Sequence, residues 1–217
     1  MTTNAEYEHM INSNVPDRFQ QGMLRRAFEI YRDTDRYGQA TFARTEIMRV
    51  LGHERSALME QSLRDVADVN DDVYYQTFKS DRSPVFHTEV HSGNVLLTAT
   101  ATRNQHAFVR SSKFRIDLSQ TNQPSFFDEV DESVVPAIYV ALTHGKVRWD
   151  SYDEYERWGY LPGHCHLTIP DANLRGYIHK IDLFRKYPQI VAAYTPEDLT
   201  GFPYLKWLSR SRATFVA

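Results

Sequence analysis

The stretch FARTEIMRVLGHERSALMEQSLRDVADV (42–69) decides how the rest of the chain is read. Its apolar residues fall at helical steps in two short runs, with Gly52 between them. Thr45 is placed to cap a helix over 46–51, and Gly52 is placed to end it. Ser56, with Glu60 close behind, is placed to cap a second helix, whose buried stripe is Met59, Leu63 and Val66. Asn70 to Asp72 stop that helix, and VYYQTF (73–78) follows with the composition of a strand. Two short helices meeting at a turn serve either to read DNA or to pack a core, and both readings stand at this point.

Upstream, residues 1–15 are polar and read as a loose N-terminus. From Pro16 onward, Phe19, Met23, Ala27, Ile30 and Tyr31 recur at three- and four-residue steps, which predicts a first helix. DTDRYGQA (33–40) reads as a turn with Gly38 as its stop, and ATF (40–42) as a short β-stub. Downstream, PVFHTEV, NVLLTATAT and HAFVRSSKFRIDL read as further antiparallel strands. SQTNQPS (119–125) reads as a loop and the boundary between two portions. Beyond it come a helix over 132–142, a strand HCHLTIP (164–170) and a helix over 172–191 interrupted near Gly176. The expected fold is therefore α+β. An N-terminal three-helix, winged-helix-like unit with a β extension (16–118) precedes an antiparallel β-rich α+β portion (126–217).

Composition narrows the class. Of 217 residues, 41% are hydrophobic and 24% charged, as in an ordinary globular chain with a real core. No apolar run reaches the roughly 18 residues of a membrane span, which predicts no membrane partner. The N-terminus lacks a secretory signal, and the single cysteine, Cys165, suits a cytoplasmic location. A net charge of −3 does not favour a nucleic-acid binder, which normally carries a basic excess or stripe.

The order helix, β-stub, helix, turn, helix, hairpin matches the winged helix, in which the third helix lies in the major groove. Residues 24–80 resemble the first winged-helix domain of plasmid replication initiators. The matching segments are FARTEIMRVLG (42–52) and SLRDVADV (62–69). The resemblance implies a plasmid or phage DNA-binding protein that reads duplex DNA, a replication initiator or regulator. Its contacts would come from Arg44, Arg49, Arg55, Ser56 and Arg64, with Lys79 and Arg82 of the wing on the backbone. A homodimer is compatible with that reading.

GHCHLTIPDANLRGYIHK (163–180) is the densest chemical cluster. His164 and His166 alternate on a strand, so both rings leave one face and could share a divalent metal ion or a phosphate. A His-x-His pair followed by tyrosine and lysine is similar to rolling-circle nucleases, in which the histidines hold a metal and the tyrosine attacks DNA. Tyr177 and Lys180 are the matching residues here, although only ten residues separate His166 from Tyr177, fewer than a helix and its connections occupy. His87, Glu89 and His91 form a second ladder at period two, which reads equally as a solvated strand face. The carboxylates Asp128, Glu129, Asp131 and Glu132 could hold a cation or simply start a helix. Three functions remain open: a DNA-binding regulator, a metal-dependent nuclease or phosphoesterase built on His164 and His166, and a protein-interaction or structural module.

Overall fold

The computed structural model describes residues 3–79, 86–122, 137–147 and 158–195. Three helices lead: α1 (Asn4–Asn14), α2 (Asp17–Thr41) and α3 (Arg44–Ala67). Three strands follow, β1 (Val73–Lys79), β2 (Phe86–Ser92) and β3 (Val95–Ala101), then α4 (Lys113–Ser119) and a 3-10 turn. The later described elements are β4 (Ile138–Lys146), β5 (Pro162–Pro170), β6 (Tyr177–Asp182) and the short helices α5 (Leu183–Lys186) and α6 (Pro188–Tyr194). The six strands form one sheet in the order β1 to β6, antiparallel throughout except for the parallel pair β3–β4. The fold is α+β. Among the described residues, no helix is long and apolar enough to cross a membrane.

The expected turn between two short helices does not form. α3 runs unbroken from Arg44 to Ala67, and Gly52 lies inside it. The reason is the spacing of the buried side chains. Ile47, Leu51, Arg55, Met59 and Leu63 recur every four residues, carrying one buried stripe straight past Gly52. The stop at Gly38 is also absent, because α2 continues to Thr41. Gly38 serves a close helix–helix approach instead: a Cβ there would stand 3.1 Å from Leu51 Cδ2. Residues 40–41 complete α2, so no β-stub forms. The N-terminus is not loose, since Thr3 and Glu6 form a capping box that starts α1.

Three further elements differ from expectation. Residues 106–118 form a connecting segment and α4 rather than a strand. Residues 138–142 belong to β4, not to a helix; the acidic run 128–132 lies outside the described residues. Residues 177–182, read as helix, form β6, and only after Asp182 does the chain turn helical. Asp182 caps that turn by accepting hydrogen bonds from the Phe184 and Arg185 amides.

One face of the sheet carries the helices. Leu97 and Ala99 of β3, Val140 and Leu142 of β4, and Cys165, Leu167 and Ile169 of β5 join Phe19, Met23, Leu24, Ala27 and Phe28 of α2 in the main core. Each large side chain so buried stabilises the fold by roughly 1.5–3 kcal/mol. Phe28 stacks on Phe184 and Tyr194, tying α2 to the C-terminal helices. Within the segment read as a boundary, Ser119 and Asn122 are tied to the sheet, and residues 123–125 lie outside the described residues. Asn122 donates to the Tyr139 and Pro170 carbonyls and accepts from the Tyr139 amide, while Ser119 bonds the Ala172 carbonyl.

The ladder between β2 and β3 stops early. Ser92–Val95, His91–Leu96 and Val90–Leu97 pair, but Glu89–Thr98 and Thr88–Ala99, the next two positions in that register, do not. Two charged side chains occupy the break. Glu60 of α3 accepts the Thr88 amide at 2.8 Å, and Arg115 of α4 donates to the Ala99 carbonyl at 3.3 Å. Each replaces the partner that the other strand would have supplied. Beyond this point β2 stays paired only with β1, as an arm leaving the sheet.

The unbroken α3 predicts the effect of one substitution. No atom lies within 4 Å of a Cβ placed on Gly52. Gly52→Ala should therefore raise stability by about 0.5–1 kcal/mol, read from urea unfolding. A glycine ending a helix in the left-handed region would respond with a loss.

Candidate functional site

The sheet face turned away from the helices is polar where the strands meet at their centre. The registers align Thr98, Ala141, Thr168 and Lys180 in one row across β3 to β6. Thr100, Thr143, His166 and Asp182 form the next row, and Gly145 and His164 the one after. Thr98, Thr100, Thr102, Thr143, His164, His166 and Thr168 are all buried. At the other end the same face is apolar, with Tyr139 and Ala141 packed against Val109 and Leu174. Burying this many polar groups is costly unless each finds a partner. Thr168 donates to the Ala141 carbonyl, Thr98 shares a hydrogen bond with Tyr139, and Thr102 Oγ1 lies 2.7 Å from His164 Nε2.

His164 and His166 share this face, with their rings stacked at 5.2 Å and 23°. The His164 ring lies over Gly145, where a Cβ would collide with it and with the Thr102 carbonyl. Glycine at 145 therefore makes room for the imidazole. Both histidines are lowered to about 3, by burial first; His166, Lys180 and His106 add to this at His164, and Lys180, His106 and Arg185 at His166. Both rings are neutral at physiological pH and stand in a positive field. Tyr177 and Lys180, expected beside them as nucleophile and partner, instead hold the segment after β3. The Tyr177 hydroxyl donates to the Ala107 carbonyl, and Lys180 Nζ donates to the Gln105 carbonyl at 3.0 Å. Among the described residues, no group of three His, Cys, Asp or Glu side chains is placed to hold a metal ion.

Of the residues expected to contact DNA, four have described side chains: Arg55, Ser56, Arg64 and Lys79. Arg55 is 3% exposed. Its guanidinium donates to Thr34 Oγ1 at 2.9 Å and to the Gly159 carbonyl at 2.8 Å, and lies 4.2 Å from the centre of the Tyr31 ring. It is a structural tie between α2, α3 and residue 159. Ser56 is not a cap but bonds back to the Gly52 carbonyl inside α3. Arg64 is half-buried in the last turn, and Lys79 is exposed at the end of β1. Arg44 and Arg49 fall on the first half of α3, their side chains outside those described, and Arg82 lies outside the described residues altogether. Among the described side chains of α3 the exposed positions are Glu46, Gly52, His53, Ala57 and Gln61, with no arginine or lysine among them. His87 and Glu89 bond each other at 3.0 Å, and His91 stacks on Tyr74.

Compared with known proteins, the chain matches no family model, no curated sequence and no solved structure.

Two groups that the sequence did not single out come forward. His144 faces the helices, opposite in sense to its neighbour Gly145, and its Nδ1 lies 3.2 Å from the Tyr31 hydroxyl. Its Nε2 is buried without a partner, and burial first, then His164 and Arg55, lowers its pKa to about 3. The other group is Glu60. Burial raises its carboxyl to about 7, opposed by the Thr88 amide, Arg115 and Arg64. The signal for His144 was THG (143–145), where a glycine directly follows a histidine in an otherwise apolar strand.

Glu60 predicts a pH dependence with a definite sign. Its folded pKa of about 7 exceeds the ordinary 4.5, so the folded chain binds this proton more tightly. The contribution to stability is complete below pH 4.5 and is lost as pH rises through 7. Glu60→Gln keeps an acceptor for the Thr88 amide and removes the titration. Against wild type, the variant should gain on the order of 2 kcal/mol between those limits in urea unfolding at stepped pH. The depressed histidines act in the opposite direction, so the difference between the two proteins, not either curve alone, isolates Glu60.

Proposed function

We propose that the polar face of β3 to β5 binds a phosphoryl group, and that the protein acts on a phosphate-bearing ligand of the nucleotide or nucleic-acid class. The observation that carries this reading is the buried, stacked His164–His166 pair, with the cations Lys180 and Arg185 close enough to act on His166. Lys180 and His106 lower both rings, and Arg185 adds to the effect at His166. A site with this field attracts an anion, and an arriving phosphate supplies the negative charge that lets an imidazole take up a proton. Thr102 and Thr143 stand in or beside the same rows and supply hydroxyl donors.

Such a site suits phosphoryl chemistry in a specific way. An imidazole that is neutral when empty and protonated when a phosphate is bound acts as a donor to the bound oxygens. It can then serve as a general acid toward a leaving oxygen. His164, fixed by Thr102 and Gly145, is the positioned partner, and His166, in the row with Thr143, is the residue assigned to meet the ligand. A divalent metal remains compatible with imidazole chemistry, and its second and third ligands would have to come with the substrate. Duplex reading by α3 has less support, because its expected turn is helix and Arg55 is interior.

Calorimetric titration with inorganic phosphate and with nucleoside monophosphates tests the reading. Binding should take up protons from buffer, and should tighten about tenfold for each proton bound per unit fall in pH below neutrality. His166→Gln should abolish it while leaving the far-ultraviolet circular dichroism unchanged. Binding without proton uptake, or equal binding by His166→Gln, would contradict the proposal.

A further inference from the structure

We propose that β1 is the pairing edge for a second copy of this chain, joined antiparallel about a two-fold axis at Gln76. Among the described residues β1 ends the sheet, and beyond Val73 every residue of the strand is exposed. Tyr74 is 59% exposed, Phe78 39% and Phe86 of the adjoining β2 58%. Native sheets guard such edges with proline, bulges or inward charge. Val73–Lys79 has no proline, pairs with β2 without a register shift, and carries a charge only at Lys79.

The direction of the free backbone groups limits which registers a partner can use. The Thr88 amide turns away from β1, toward Glu60 in the break beside β3. Alternation along β2 then points His87, Glu89 and His91 at β1, and pairs them by hydrogen bonds with Phe78, Gln76 and Tyr74. The remaining residues, Val73, Tyr75, Thr77 and Lys79, turn their amides and carbonyls outward. Of the registers that set odd-numbered residues opposite one another, only one pairs the whole of Val73–Lys79 with its copy, and in it Tyr75 meets Thr77 and Val73 meets Lys79 of the second chain. That places Gln76 opposite Gln76 on the axis and Tyr74 opposite Phe78.

Side chains agree with this register. Tyr74 stacks on His91 at 4.8 Å and Phe78 on His87 at 5.5 Å, and His87 in turn stacks on Phe114. Across the axis Tyr74 and Phe78 close two such stacks into one continuous aromatic ladder, a favourable cross-strand pair. Charge agrees as well. Asp71 and Asp72 are exposed at the start of β1, Lys79 is exposed at its end, and antiparallel pairing brings the acidic end of each copy beside the basic end of the other.

Sedimentation equilibrium of the full chain should show a monomer–dimer equilibrium. Thr77→Pro deletes one outward amide and none that faces β2, so it should raise the dimer dissociation constant at least about tenfold without lowering the unfolding midpoint substantially. Gln76 occupies a non-hydrogen-bonded position, where Cα atoms approach to about 4.5 Å, within disulfide range. Gln76→Cys should therefore form a covalent dimer on mild oxidation, and adding Thr77→Lys should prevent it; Cys165 is buried and does not compete. This cross-link decides the matter should Thr77→Pro fail to fold. A chain that stays monomeric, or a dimer that neither cross-links at Gln76→Cys nor weakens on Thr77→Pro, would overturn the proposal.

Discussion

Two backbone groups, the Thr88 amide and the Ala99 carbonyl, would pair with each other in an uninterrupted sheet, and here each is met by a charged side chain instead. Leaving either buried and unmet would cost about 1–3 kcal/mol. Glu60 and Arg115 must therefore be delivered to this place, and much of the architecture follows from that delivery. Glu60 arrives on α3, held five residues earlier by the buried Arg55 against Thr34 and Gly159. Arg115 arrives on α4, which Ser119 and Asn122 anchor against β4 and the end of β5. A real helix break at Gly52 would separate the Arg55 anchor from the stripe that begins at Ile47. The continuity of α3 and the break in the sheet belong to one arrangement.

The sheet then has two faces with different work. Toward the helices it presents Leu97, Val140, Leu142, Leu167 and Ile169, a hydrocarbon surface that supplies stability. Toward the other side it presents threonine and histidine, which supply little stability and require hydrogen-bonded partners. His144 and His164 stand almost back to back across the strand pair, one bonded to Tyr31 and the other to Thr102. Their mutual repulsion is one of the causes that keep His144 uncharged.

The α+β class and the shared face of His164 and His166 were legible in the sequence because both rest on local period, 2.0 for strands and 3.6 for helices. The boundaries were not. Gly38 and Gly52 read as stops, yet glycine costs a helix only about 1 kcal/mol, and the packing of Ile47 and Leu51 outweighs it. Arg55 concealed the continuity, because a charge at every-fourth-residue spacing looks like a gap in an apolar stripe. Its burial depends on acceptors at Thr34 and Gly159, remote in sequence. The same holds for Glu60, whose partner Thr88 is defined only by where a ladder stops. Residues 177–182 were misread because Tyr177, Ile178 and Ile181 suit a helix face as well as an edge strand, and only β5 beside them selects the strand.

The account rests most heavily on the neutral state of the paired histidines and on its reversal by an anion. Long-range proton–nitrogen correlation spectra of histidine-labelled protein, recorded down to about pH 5, report the charge and tautomer of each ring directly. The free protein should show His144, His164 and His166 as neutral single tautomers across that range. Added nucleotide should then shift His166 toward the imidazolium pattern. Titration of His164 and His166 near 6.5 in the free protein, with no response to phosphate, would contradict the account.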